Sequence, residues 1–456
     1  MEVLLSAVAG ELVSRLVSFL LRKYQDPGAT NDMFRLQQAL LRARMVVEEA
    51  EGRQITNQAM LQQLNQLRLE MCRCAYVLDA FTRRAVGSNR TSLAMVVERL
   101  EAELRNMKEF VVLLGSCPRV PQQPYSTYLF MERCIFGRQM EKEKLIGFLL
   151  QPAQDLDVLP IIGPHEIGKQ TLVEHVCLED RVREHFSKIH RLNSCDLDLP
   201  IHRSLVDATA RSLIVIDFTG DADEESWRRF HMSMRRRGNG ESKVVIISRT
   251  ERHASLGTVP PLRLRAPRRE ELWYFFKALA FGGAVPEERP ELVRVAMALF
   301  DSIPDCTPFV AASKIAASLR ADLSARSWRR LLRVGAGETM LQLDRPEEEE
   351  EEQSLFMPVK DAPNTPCLLY NRRKATGVAQ SELPKMTMLE LLGSAVPAGV
   401  QRVDVLDWQS RIPPYASYLA TCDMERARQM VVESAAKKRI PNKRRRGQQH
   451  DDRGKT

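Results

Sequence analysis

The sequence predicts an α+α/β protein: a four-helix bundle, then a parallel α/β domain with a helical lid, then a partly disordered C-terminal region. Three observations predict it. Apolar residues recur at three- and four-residue spacing through residues 1–115. From about residue 134, short β-branched runs alternate with helical stretches, the pattern of a parallel sheet with crossovers. A G-x-x-x-x-G-K segment lies between the first such run and the next helix, which makes the α/β domain one of the P-loop type.

Composition narrows the classes. A chain of 456 residues suggests two to four domains, and 44% hydrophobic with 28% charged residues and few aromatics suits a soluble, helix-rich protein. The nine cysteines are odd in number and scattered, and Cys72 and Cys74 have no later CxxC partner. They read as reduced thiols, which excludes a disulfide framework and a zinc site. The net charge of +8 belongs to the tail: residues 437–456 hold nine basic and two acidic side chains, and the rest is close to neutral.

The bundle is predicted over 1–115, with helices at 3–24, 31–50, 56–84 and 91–113. The first is strongly apolar, but Glu11 and Arg15 interrupt it and no basic stretch precedes it, so no signal peptide and no membrane span is expected. Leu12, Leu16, Leu67, Leu78 and Leu104 are the core candidates. A proline-marked linker covers 116–133. The nucleotide-binding α/β domain is predicted over 134–258, with strands at Val158–Ile162, Leu213–Ile216 and Val244–Ile247. A helical lid follows over 259–335. An acidic linker spans 336–365 around Glu347–Glu352, 366–434 stays unassigned apart from helix candidates at 384–393 and 423–434, and 435–456 is a basic disordered tail. No leucine-rich repeat period is found.

The chemistry concentrates in Gly163-Pro-His-Glu-Ile-Gly-Lys-Gln-Thr171. In such a loop, backbone N–H groups and the helix N-terminus hold phosphates and the lysine reaches their outer oxygens. Gly163, Gly168 and Lys169 fit that role. The residue after the lysine should carry the Mg²⁺-binding hydroxyl. It is Gln170, with Thr171 one place later. Asp217 ends the second strand, where a carboxylate is expected to partner Mg²⁺, but Phe218 follows where a second carboxylate could activate water. Arg249, after the third strand, either senses the outer phosphate or is an ordinary strand-end surface arginine.

The order of these pieces resembles the NB-ARC domain of plant NLR disease-resistance proteins, preceded by an Rx-type coiled-coil module. The resemblance covers about residues 1–335. It is carried by Ile135-Phe136-Gly137-Arg138 with Glu141-Lys142-Glu143, by Arg181-Val182 and His185-Phe186, and by Leu262–Arg265 with Glu270–Trp273 and Ala280–Gly282. Cys306–Ala311 adds the family's glycine-leucine-proline-leucine position with Pro308, and Ala75–Asp79 falls on its acidic helix motif, with Ala75 and Tyr76 standing in two of the acidic positions.

The resemblance implies an ADP- or ATP-binding domain, with Pro308 near the base. The departures imply a degenerate site. His165 and Glu166 replace loop glycines, so glycine-dependent geometry is at risk. With Gln170 and Phe218, Mg²⁺ is doubtful, nucleotide binding weak or lost, and efficient ATP hydrolysis not expected. The second lid with its methionine-histidine-aspartate motif is not recognisable, so the chain reads as a truncated receptor, with the face around Leu262 and Trp273 expected to be exposed. The expected role is plant defence by protein–protein interaction, pairing with itself or other NLR-type proteins through the bundle. The alternative is a functional ATP/ADP-driven STAND-type signalling switch. The expected location is cytoplasmic. Lys437–Arg439 and Lys443–Arg446 resemble a bipartite signal for a nuclear-import receptor, and read equally as a solubilising tail.

Overall fold

A computed structural model describes residues 27–51, 53–83, 90–119, 135–152, 156–198, 211–218, 224–237, 242–303, 308–333, 355–357, 368–375, 383–384 and 402–423. The predicted helix over 3–24 with Leu12 and Leu16, the glutamate run and the basic tail lie outside the described residues. The chain divides into two compact units, the first built mainly from Met1–Leu332 and the second from Glu347–Gln409 and Ala416–Thr456.

The first unit opens with helices α1 (Pro27–Glu51), α2 (Gln58–Arg83), α3 (Arg90–Asn106) and α4 (Lys108–Leu114). Asn57 starts α2 by accepting the N–H groups of Ala59 (2.9 Å) and Met60 (3.3 Å) on its side-chain oxygen. Leu36, Leu40, Leu61, Leu67, Val97 and Leu100 close the interior. Each fully buried side chain of this size contributes about 1.5–3 kcal/mol. Arg35 binds Glu101 through two nitrogens at 3.1 and 2.8 Å, pinning α1 to α3. Two core expectations are corrected. Leu78 and Leu104 are half-buried. The predicted helix 91–113 breaks at Met107, and Met107, not Leu104, fills the interior there.

After α5 (Gln139–Leu150) comes a five-stranded parallel sheet: β1 (Asp157–Ile162), β2 (Lys188–Asn193), β3 (Ser212–Phe218), β4 (Lys243–Ser248) and β5 (Leu262–Arg263). Its order is β2-β3-β4-β1-β5. Helices α6 (Lys169–Cys177) and α7 (Asp180–His185) carry the chain from β1 to β2, and α8 (Glu224–Arg237) from β3 to β4. Alternate strand residues serve opposite faces. Leu159, Ile161, Leu213, Val215, Val245 and Ile247 meet Leu145, Leu149, Leu172 and Val176. Val158, Ile214, Ile216, Val244 and Ile246 meet Trp227, Phe230 and Met234 of α8. The chain leaves β1 toward one sheet edge and returns to pair β5 on its other side. The carboxyl end of β1 is therefore where strand order reverses, the place where open α/β sheets bind ligands.

Helices α9 (Arg269–Phe281), α10 (Pro290–Phe300), α11 (Pro308–Ala321) and α12 (Ala325–Arg333) follow. Trp273 and Phe276 of α9 pack on Phe300 at 5.2 and 5.7 Å between ring centroids. The expected exposed face around Leu262 and Trp273 is corrected: Trp273 is 0% and Leu262 9% exposed. The reason is that α2 covers α9, and β5 pairs with β1. Trp273 Nε1 donates to Asp79 Oδ2 at 2.9 Å, and Lys277 Nζ donates to the same oxygen. Arg68 of α2 binds Glu271 at 2.5 Å.

The second unit holds an antiparallel sheet of β6 (Leu355–Met357), β7 (Leu368–Lys374), β8 (Arg402–Gln409) and β9 (Ser417–Asp423), in the order β6-β7-β9-β8. Val405 and Ala420 are fully buried, and Thr421 donates to Asp404 across the strands at 2.5 Å. The linker assigned to 336–365 thus contains a strand, and the unassigned 366–434 contains most of a sheet. The first residue of the helix candidate 423–434, Asp423, closes β9; the remainder lies outside the described residues, as does 385–393. Among the described residues no helix is long and apolar enough to cross a membrane.

Candidate nucleotide-binding site

The loop begins where β1 runs out. Gly163 N donates to Ser248 O at 3.2 Å, and Leu264 N donates to Ile162 O at 2.8 Å, so the loop is strung between β4 and the segment after β5. A Cβ on Gly163 would sit 2.8 Å from the Leu264 carbonyl oxygen, a backbone atom that cannot step aside. Only glycine fits. The turn then passes through the left-handed region twice, at Glu166 (φ 53°) and Gly168 (φ 90°). A glutamate adopts the glycine-like conformation, at a cost of roughly 1–2 kcal/mol. Its carboxylate oxygens are shielded from solvent.

Lys169 opens α6 and is 7% exposed. Its ammonium donates to Gly163 O at 2.7 Å and Pro164 O at 2.6 Å, clasping the start of the loop. Burial pushes its pKa down to about 8; neighbouring Arg249 adds to the shift and Asp217 opposes it. Arg249 is exposed, one residue beyond β4. Gln170 is also exposed, and its amide nitrogen donates to Asp217 Oδ2 at the end of β3. Thr171 is half-buried. One helical step turns a side chain by about 100°, which carries the Thr171 hydroxyl off the line from Gln170 to Asp217. Phe218, directly after Asp217, points to the opposite face and is 2% exposed. It packs on Trp227 (6.2 Å) and His253 (5.0 Å).

The structure thus brings Gly163, Gly168, Lys169, Gln170, Asp217 and Arg249 to one sheet end. Pro308 opens α11. Arg138, just before α5, donates to Ile167 O (3.3 Å) and Arg265 O (2.7 Å), and stands 5.9 Å over the Phe309 ring. Sequence reading singled out Arg138 within a motif but gave it no role at the site. Gly137, at φ 71°, is the signal that a tight turn there aims the arginine inward. Burial lowers the Arg138 pKa, with Glu141 opposing. Among the described residues no group of three or more His, Cys, Asp or Glu could hold a metal ion.

Comparison with known proteins finds plant disease-resistance proteins among the relatives of this chain. The chain is 25% identical over 342 residues to disease resistance protein RGA2 of Solanum bulbocastanum, covering 64% of this chain and 34% of that protein. It is 23% identical over 326 residues to putative disease resistance protein RGA1 of the same species, covering 61% and 32%. It is 24% identical over 351 residues to a putative disease resistance RPP13-like protein 1 of Arabidopsis thaliana, covering 62% and 33%. Its relatives are plant disease-resistance proteins. The chain spans about a third of the length of the curated relatives it matches. No family model matches it. Among solved structures, a chain of Drosophila ORC bound to DNA aligns with 53% of this chain and 77% of its own length, at 12% identity and a TM-score of 0.34. A C. elegans PCH-2 chain aligns with 42% and 68%, at 10% identity and a TM-score of 0.28. Similarities this loose carry no argument here.

Proposed function

We propose that this chain is an NLR-like plant defence protein that acts by protein–protein interaction, binds ADP weakly or not at all, and does not hydrolyse ATP efficiently. The observation that carries the reading is the state of the sheet end. The phosphate loop keeps its turn and its buried lysine, while an amide holds the strand-end carboxylate and a phenylalanine fills the place of a second acid. Hydrolysis needs a placed water and charge stabilisation at the transferring group, together worth several kcal/mol. The place of the water-activating acid is taken by Phe218, and the strand-end carboxylate is engaged by Gln170.

On this reading the N-terminal helices form an Rx-type four-helix module over 1–115, the degenerate NB-ARC core spans 134–258 and its first lid 259–335. Partners are further NLR-type chains or a second copy of this one. The location is cytoplasmic, with nuclear import through the basic tail as a separable property. Deleting residues 437–456 and following a fluorescent fusion tests that part.

One observation favours residual nucleotide binding over none, and with it the ATP/ADP-switch reading. Lys169 is buried and poised as a cation beside Arg249. Nucleotide extracted from the purified chain and identified by mass spectrometry decides between the readings. ADP at a substoichiometric level fits the proposal. Steady ATP turnover abolished by Lys169→Ala overturns it in favour of a working switch.

A further inference from the structure

The Gln170–Asp217 contact spans 47 positions and joins the two places from which a P-loop site would address a divalent cation. Mg²⁺ asks for hard oxygen ligands in near-ideal octahedral geometry. The residue after the loop lysine has no hydroxyl, and the strand-end carboxylate already accepts an amide N–H. An N–H donor and a metal-bound water compete for the same carboxylate lone pairs. The side chains present therefore do not fit the cation.

They do fit each other. Glutamine carries its amide two bonds further from the backbone than serine carries its hydroxyl, enough to close the gap between the first turn of α6 and the tip of β3. The backbone of Asp217 is held in register there between Asn193 of β2 and Ile247 of β4, which places its carboxylate within reach of the first turn of α6. The cationic groups at the site are Lys169 and Arg249, each within electrostatic reach of the other.

We infer that Gln170 acts as a positioning residue that locks Asp217 in a metal-free site, so that the loop takes its phosphate ligand as the bare anion, neutralised by Lys169 and Arg249. This rests on the nucleotide-binding reading above and deepens it. Two cations, one offset by Asp217, match a diphosphate better than a triphosphate, whose third phosphoryl group would extend toward the cation position that the amide has closed. The ligand class is a nucleoside diphosphate without its metal.

The test uses the full chain and ADP titrated calorimetrically, once in EDTA and once in excess Mg²⁺. For the unmodified protein the two affinities should agree within about twofold, whereas Gln170→Ser should gain about tenfold or more from Mg²⁺. ADP that binds the unmodified chain only when Mg²⁺ is present overturns the lock and leaves the nucleotide reading standing. If no ADP binds under either condition, the nucleotide reading fails, and a thermal-melt cycle decides the lock alone. With Gln170→Ala, Asp217→Ala and the double variant, the double shift should be clearly smaller than the sum of the single shifts. Strict additivity overturns the lock.

Discussion

The two halves of the candidate site have fared differently. The phosphate half is made of backbone: a glycine wedged against Leu264 O, a left-handed turn at Glu166, and a lysine clasped by Gly163 O and Pro164 O. The metal half is made of side-chain tips, and there an amide stands on Asp217 and an aromatic ring stands in the core. Backbone geometry is fixed by packing from every side, by Arg138 on Ile167 O and by the sheet beneath. It survives substitutions that replace the chemistry at a tip. On the reading proposed above, a loop keeps the turn of a nucleotide site while the side chains at its rim no longer suit a metal.

The sharpest way to break this comparison is to restore the missing acid. Phe218→Asp puts a carboxylate into an apolar cluster with Trp227 and Phe230. The expected result is loss of stability on the order of 4 kcal/mol or more, read by denaturant titration, with no gain in hydrolysis. A well-folded variant with new turnover would show that the metal half is only one residue from working.

Lys169→Met comes next. The lysine titrates at 10.5 ordinarily and at about 8 when folded. A depressed lysine pKa penalises the folded state fully below pH 8, and the penalty fades as pH rises from 8 toward 10.5. The unmodified chain should therefore gain on the variant across that window, by up to about 3 kcal/mol, and run parallel to it below pH 8. Parallel curves throughout would mean that the lysine is not buried by its loop.

Gly163→Ala should cost about 2 kcal/mol through the clash with Leu264 O, measured as a fall in melting temperature. Smallest, and of opposite sign, is Glu166→Gly, which relieves the left-handed strain and should stabilise by about 1 kcal/mol. It should also tighten anion binding by removing a like charge, and more so with His165→Gly. If affinity stays fixed, the carboxylate is not the obstacle.

The three central strands were legible because their β-branched runs are buried on both faces. Lys188–Asn193 was not, since this edge strand alternates polar residues and is largely exposed or half-buried. The sheet of the second unit was missed for a related reason. Strands such as Arg-Val-Asp-Val-Leu-Asp-Trp-Gln mix charges with apolar residues and bury only Val405 and Asp407, so their period is weak. At the site, the glycines, the lysine and the missing hydroxyl could be read directly. The Gln170–Asp217 pairing could not, because no local pattern records a contact between a helix start and a strand end 47 positions away. Burial of Trp273 was misjudged because its cover, α2, comes from almost 200 positions upstream.

That cover also bears on how the chain can be divided. Asp79 of α2 receives both the indole N–H of Trp273 and the ammonium of Lys277, and Lys277 is 2% exposed. A fragment starting at residue 134, where the α/β pattern begins, would lose that carboxylate and uncover an aromatic surface together with a sequestered cation. The boundary drawn by pattern and the boundary drawn by solvation fall in different places. A soluble excised piece needs the helix that supplies Asp79, however distant it is in the sequence.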